Sequence, residues 1–342
     1  MYTLPALPVT VIGSWARPAW FSQICDDMAR RPDAYGEDDR AEILRDATRL
    51  AIDDQRSAGA DIVTDGEFGR WDGLGYFYER VAGLERQPPT RRLGPPAPEQ
   101  NAKYVCVAPI TAPKGLGLVA QYQQLTELTQ APIKVAAPGP FTLAEQLIGG
   151  KVYRDRDAIV EVLSPIVNRE LRALMDAEAM AVQIDEPAFA CRPEHVDAFL
   201  RLVERTTAGV RAFVSLHLCF GNDRGRSLGP RSYRPLLPKL SGASVKQLSL
   251  EFASREMADV ELLAEIKPPM TVAVGLVDVK SHWIEPPELI ADRLRTVLKY
   301  IDADRVHVAP DCGFGQTARS IACAKLANLA AGTRNVRKER GL

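Results

Sequence analysis

Eight strand-like apolar segments recur along this chain, at residues 9–14, 60–67, 133–137, 179–186, 212–219, 245–251, 271–278 and 305–311. Most are followed by a helical pattern. In residues 39–57 the apolar side chains Ile43, Leu44, Ala47, Leu50 and Ala51 fall on one helical face, and Gly59 is suited to end that helix in a left-handed conformation. Further helices are expected at 157–174, 194–206, 254–266, 287–300 and 316–331, with a poorly marked one from Leu236. Strands that alternate with helices pair in parallel, and eight is the number that closes a ring. The expected fold is therefore α/β, a (β/α)8 TIM barrel; an open doubly wound sheet is the competing architecture.

One region breaks the alternation. Residues 68–132, between the second and third strands, include a Pro-rich stretch at 87–98 and are expected to be an insertion: a hairpin or loop, then a helix near 116–128. The rest reads as one domain spanning 1–342. A chain that is 46% hydrophobic and 25% charged can bury a sizeable core. Its net charge of −1 gives no field to recruit nucleic acid or an anionic membrane. No run of 18 uncharged apolar residues is present, and no cationic segment followed by an apolar run marks an export signal. Six cysteines at irregular spacings then point to metal or catalytic use in a cytoplasmic protein rather than to disulfides. The basic stretch 334–340 is expected to be solvated.

Residues able to do chemistry collect at the C-terminal ends of the strands, where barrel enzymes build their sites. They are Ser14, Asp65 and Glu67, Asp185 and Glu186, His217 and Cys219, Glu251, Asp278 and Lys280, and Asp311 and Cys312. In Ser215-Leu216-His217-Leu218-Cys219 the strand alternation turns His217 and Cys219 to one face and the leucines to the other. Glu251 and Cys312 end two further strands. Two thiolates, an imidazole and a carboxylate suit tetrahedral Zn2+. Sulfur argues against Mg2+ or Ca2+ and leaves Fe2+ or Cu+ open.

The remaining candidates have plainer readings. Cys323 shares a helix face with Leu326 and Ala330 and reads as core, while Cys25, Cys106 and Cys191 have no partner nearby. His195 and His307 read as structural, and His282 follows the seventh strand within reach of the rim. Gly313-Phe314-Gly315-Gln316-Thr317-Ala318 imitates a dinucleotide fingerprint but has no acidic residue about 20 positions on, so its glycines are better explained by close backbone approach.

With these residues in view, the chain resembles the catalytic C-terminal half of the cobalamin-independent methionine synthase family over nearly its full length. The resemblance is carried by Val11-Ile12-Gly13-Ser14, Asp65-Gly66-Glu67 with Arg70 and Asp72, Gln183-Ile184-Asp185-Glu186-Pro187, His217-x-Cys219, Leu250-Glu251, Gly275-Leu276-Val277-Asp278 and Pro310-Asp311-Cys312-Gly313. It implies a (β/α)8 barrel with zinc on the four ligands above. It also implies that Glu67 and Asp185 hold the amino group of a homocysteine-like substrate, with Ser14 facing the substrate carboxylate. The chain departs from the family in three respects. The long enzymes' additional N-terminal barrel is not seen, Gln146 replaces the tryptophan that stacks on the folate pterin, and Lys280 aligns with the histidine after the seventh strand.

The expected reaction is alkyl transfer to a zinc-bound thiol, which metal coordination deprotonates from its ordinary pKa of about 8.5. The expected partners are a small-molecule thiol and a methyl donor: folate, a corrinoid protein or another. Asp185, Lys280 and Asp311 are the candidates for tuning the site or handling a proton. The alternatives are an epoxide:coenzyme M transferase or other small-thiol alkyltransferase, a zinc-binding sensor without turnover, and a lyase that would draw on Arg17 and Arg70.

Overall fold

The computed structural model describes residues 3–89, 102–187, 189, 193–222 and 231–342. Its strands are β1 (Ala82–Gln87), β2 (Lys103–Thr111), β3 (Lys134–Pro138), β4 (Leu147–Ile148), β5 (Ala181–Asp185), β6 (Phe213–Leu218), β7 (Gln247–Leu250), β8 (Thr271–Val277) and β9 (Val306–Pro310). One sheet has the order β3-β5-β6-β7-β8-β9, and every neighbouring pair in it is parallel. These six strands fall on the last six expected segments. Leu216, Leu248 and Val272 stand in register on one face and are fully buried. Polar side chains occupy the other face, where Ser215 Oγ donates to Gln247 Oε1 at 2.8 Å and Gln247 Nε2 donates to Thr271 Oγ1 at 3.3 Å.

The first two expected strands form single parallel bridges instead of continuous ladders: Val9 with Val308, Thr10 with Ile62, and Val63 with Ile133. Side chains supplement the backbone pairing there. Asp61 accepts from the Val9 amide at 2.8 Å, and the Gln55 carboxamide mimics a neighbouring peptide. Its Oε1 accepts from Thr64 N at 2.9 Å while its Nε2 donates to Thr64 O at 3.1 Å.

Long helices at Glu37–Ser57, Arg156–Asp176, Val196–Thr207, Pro287–Val297 and Arg319–Arg340 follow the expected pattern. Two expectations need correction. Residues 254–266 are not one helix but two 3-10 turns, Ala253–Arg255 and Val260–Glu265. Glu256, Met257 and Asp259 all take positive φ between them, which no continuous helix allows. Nor is the basic stretch 334–340 simply solvated. It lies in the last helix, where the Arg337 guanidinium donates to the Ala6 and Leu7 carbonyls and to Asp61, tying the chain's two ends together.

Within residues 68–132, β1 and β2 form an antiparallel hairpin, and β4 joins β2 in parallel. A helix over Leu118–Leu128 follows. Glu170 on the long helix Arg156–Asp176 fixes this part, accepting from the Leu116 and Leu118 amides at 2.7 Å each. Most of the Pro-rich stretch, and Cys191, lie outside the described residues. No helix among the described residues is long and apolar enough to cross a membrane.

Replacing Gln55, which is fully buried, by Ala strips both Thr64 backbone groups of their partners. Unfolding free energy should fall by about 2 kcal/mol in urea titration. A fall below about 0.5 kcal/mol would show that this segment is held by something else.

Candidate metal and substrate site

Strand β6 closes with His217-Leu218 and Cys219 follows directly, and both His217 and Cys219 are buried. Strand β5 pairs beside it with Asp185 opposite His217, and Asp185 Oδ1 lies 2.9 Å from His217 Nδ1. The carboxylate thus accepts a hydrogen bond from Nδ1–H, and Nε2 is left buried with no hydrogen-bond partner among the described residues. Cys312, two residues past β9, brings its Sγ to 3.7 Å from that of Cys219. One ligand atom from each of His217, Cys219 and Cys312 lies within 4.8 Å of the other two.

The electrostatics of this trio are those of a shared negative charge. The contact with Cys219 draws the Cys312 thiol well below its ordinary pKa, against the opposing effect of burial, with help from His217. The same contact, with burial, pushes Cys219 well above. Burial alone would lower His217, but Asp185 and Cys312 outweigh it and raise it to about 10.

Glu251, one residue past β7, is fully buried but stands outside that trio. Its Oε2 receives Lys280 Nζ at 2.7 Å and the Phe220 amide at 3.2 Å, and its Oε1 receives Ser254 Oγ at 2.9 Å. Burial works against the Lys280 charge, yet Glu251 holds it above the usual lysine range. Asp311 is also fully committed. Its Oδ1 accepts from the Phe252 and Ala253 amides at 3.0 and 2.9 Å, and its Oδ2 from Ser254 N at 2.6 Å. To reach them from the end of β9 it must cross β8, and Gly275 makes the crossing possible, because a Cβ there would collide with Asp311 Oδ1.

A cavity of about 580 Å³ opens on the trio, and Ser14, Glu67, Asp185 and Gln146 also line it. Glu67 sits in the left-handed region at φ 61° and reaches past Gly13, where a Cβ would strike its carboxylate. Burial, with Asp185 and Asp65 adding to it, raises Glu67 to about 7 in spite of Arg70. Arg70 stands 3.9 Å from Glu67 and 3.5 Å from Asp65, its other nitrogen held by Ala136 O at 2.9 Å. Ser14 Oγ accepts from Gly315 N at 3.3 Å and Ser14 O from Phe314 N at 2.8 Å, so the glycine-rich run after Cys312 packs against Ser14.

The expected site residues thus divide. Ser14, Glu67, Asp185, His217, Cys219 and Cys312 meet at the cavity, whereas Glu251, Lys280 and Asp311 form a buried group behind it. His282 is exposed and does not line the cavity. Cys25 and Cys106 are buried free thiols, and Cys323 is only half-buried. Two contributors escaped the sequence reading. Gln183 donates to Asp185 Oδ1 at 2.7 Å and to the Ile12 carbonyl; its place two residues before Asp185, on the same strand face, was the available signal. Tyr233 donates to Leu218 O at 2.7 Å and accepts from Glu251 N at 3.0 Å, joining the segments that carry Cys219 and Glu251, and nothing in its polar loop marks it.

The family model described as "Cobalamin-independent synthase, Catalytic domain" matches residues 7–335. A methionine synthase from Thermococcus kodakarensis is 32% identical to this chain, over 98% of it and 95% of the relative. One from Pyrococcus furiosus is 31% identical, over 98% and 94%. A solved structure of a B12-independent methionine synthase from a Shewanella species, in complex with selenomethionine, matches with a TM-score of 0.83 at 30% identity. That match covers 98% of this chain and 99% of the other.

Two outcomes follow from the buried charges. Asp311→Ala deprives three amides of their acceptor and should cost about 3 kcal/mol in urea unfolding. Lys134 is buried with no partner for Nζ, and burial lowers it to about 7 although Asp185 pulls the other way. An unfolded lysine titrates at about 10.4, so between these values the unfolded chain binds more protons and stability climbs with pH. Lys134→Met should flatten that climb between pH 7 and pH 9 (roughly the middle of the window); an unchanged slope relative to the parent chain would count against it.

Proposed function

The chain belongs to the family of cobalamin-independent synthase catalytic domains, and on that footing we propose that it methylates the sulfur of homocysteine to give methionine, with zinc activating the thiol. It is a methyltransferase of this family. The observation that carries the reading is one cavity shared by two kinds of group: the sulfur–nitrogen trio of His217, Cys219 and Cys312, and the carboxylates of Glu67 and Asp185.

The trio fits zinc. Its imidazole presents a buried nitrogen with no other partner, and its two sulfurs already share a single proton's worth of charge. His217, Cys219 and Cys312 would hold the ion, with Glu251 as the hardest and most readily released fourth ligand. Zinc bound there would supply a Lewis acid that keeps the substrate sulfur as a thiolate at neutral pH.

The protein's own groups do the rest. Asp185 fixes His217 with Nδ1 protonated and Nε2 free to coordinate. Glu67 and Asp185 hold the substrate ammonium; burial first, then the neighbouring Asp185 and Asp65, raises Glu67 to about 7, and a bound ammonium would favour its charged form. Ser14 faces the substrate carboxylate. A sulfonate-bearing thiol would set an anion against Glu67 and Asp185, which favours the amino-acid thiol over the coenzyme M reading. Asp311 holds the loop after β7 in place rather than moving protons, because backbone amides occupy both its oxygens. A (β/α)8 barrel spanning 1–342, with 68–132 as an insertion, belongs to the same proposal. The three single bridges support it, since they continue the parallel neighbours from β9 through Val9 and Ile62 to β3. The partners are small molecules, homocysteine and a methyl donor. The family's description as cobalamin-independent gives a corrinoid protein no support. A cytoplasmic location suits two thiols that must stay reduced.

Cys219→Ser and Cys312→Ser should each lose zinc, measured by elemental analysis, together with methyl transfer to homocysteine from methyltetrahydrofolate. Full zinc occupancy in both variants would falsify the ligand set. Asp185→Asn, with zinc retained, should weaken homocysteine binding at least about tenfold in calorimetry; unchanged affinity removes Asp185 from ammonium recognition.

A further inference from the structure

Building on the zinc reading, we infer that Lys280 is a resident counter-cation that competes with the metal for Glu251 and so keeps the fourth coordination position exchangeable for the substrate thiol. A carboxylate buried as deeply as Glu251 needs a full set of partners. It has them without any metal: Lys280 Nζ at 2.7 Å, the Phe220 amide at 3.2 Å and Ser254 Oγ at 2.9 Å. The trio of His217, Cys219 and Cys312 closes to within 4.8 Å without it.

Neither member of the ion pair is free to drift. The Lys280 side chain is 6% exposed, and Glu251 is the carboxylate with which it forms an ion pair among the described residues. Its backbone amide donates to Asp278 Oδ1 at 2.8 Å, and Asp278 N donates to Glu285 Oε1 at 2.7 Å. Glu285 is in turn locked to the buried Lys325 at 2.6 Å. On the other side, Tyr233 holds the Glu251 amide and Asp311 holds the three residues that follow. Lysine and carboxylate are therefore delivered to each other by two fixed arms.

This arrangement sets the cost of ligand exchange. An ammonium on Oε2 withdraws electron density that the carboxylate would otherwise donate to a metal, and a divalent ion brought close repels the ammonium. Glu251 is thereby made a weaker ligand than its burial suggests. When a thiolate takes its place, the released carboxylate is not stranded, because Lys280, Ser254 and the Phe220 amide are its partners already. Without Lys280 the same exchange would leave a buried anion short of a counter-charge, a costly state. Lys280 is thus a positioning residue acting through Glu251.

The test uses the full chain as parent, Lys280→Met and Lys280→Arg, with zinc and homocysteine as the probes. Zinc affinity is measured without thiol, by competition with a chromophoric chelator. Lys280→Met should bind zinc at least about tenfold more tightly, and its zinc-loaded form should bind homocysteine more weakly by a comparable factor. Lys280→Arg should stay within about threefold of the parent on both counts. Melting temperature adds a sign that a packing role cannot reproduce: Lys280→Met should melt lower than the parent without metal and higher with zinc. In a Glu251→Gln background the effect of Lys280→Met on zinc affinity should shrink below about threefold. If Lys280→Met does not fold without metal, Lys280→Gln carries the same comparisons. A parent chain that takes up no zinc overturns the metal reading itself. A parent that binds zinc while Lys280→Met (or Lys280→Gln) binds it equally or more weakly overturns this inference and leaves the metal reading standing.

Discussion

Everything at the site depends on the parallel pairing of the sheet. Because β3 and β5 through β9 all run the same way, their last residues arrive at one rim, and residues far apart in sequence become neighbours there. Asp185 meets His217 across a single register pair, and Cys219 meets Cys312 across three strand positions of the same sheet. The gathering has an electrostatic cost. Carboxylates and thiols crowd into a region that excludes water, and each must find a partner nearby or shift its protonation.

How each buried anion meets that demand separates scaffold from working parts. Glu186 is capped by the Phe141 and Thr142 amides and the Thr142 hydroxyl, Asp311 by three amides, and Glu251 by a lysine, a serine and an amide. All three are satisfied, but only Glu186 and Asp311 serve chiefly to hold loops in place; Glu251 keeps its partners while standing beside the trio as its proposed fourth ligand. Among the described residues, Glu67 pairs with an arginine 3.9 Å away, and His217 Nε2 has no hydrogen-bond partner. These two incompletely satisfied groups face the cavity and the trio, as expected where a substrate or ion is to complete the set.

Much of this was legible in the sequence because two simple periodicities carry it. Alternation along 212–219 turns His217 and Cys219 to the same side, and short segments rich in apolar residues mark the six strands of the sheet. What stayed hidden rests on single side chains doing the work of backbone. Gln55 stands in for a strand neighbour of Thr64, so a segment that reads as a strand forms only isolated bridges. Three positive φ values at 256, 257 and 259 break an apolar pattern that reads as a helix. The helix Ala19–Arg30 is not marked in the sequence reading, although Phe21, Cys25 and Met28 share its buried face. The sequence does not show that backbone amides meet both oxygens of Asp311, because a carboxylate at a strand end looks the same whether it faces substrate or backbone.

The passage of Asp311 across β8 has an evolutionary corollary. With any side chain at position 275 the carboxylate loses its path, and without the carboxylate the three amides beyond it lose their acceptor. Glycine and aspartate are therefore interlocked: drift at one position is penalised while the other stays as it is. The arms bearing Glu251 and Cys312 are thus welded into a single rigid unit, and lineages descending from such an ancestor would have to alter both residues at once or neither.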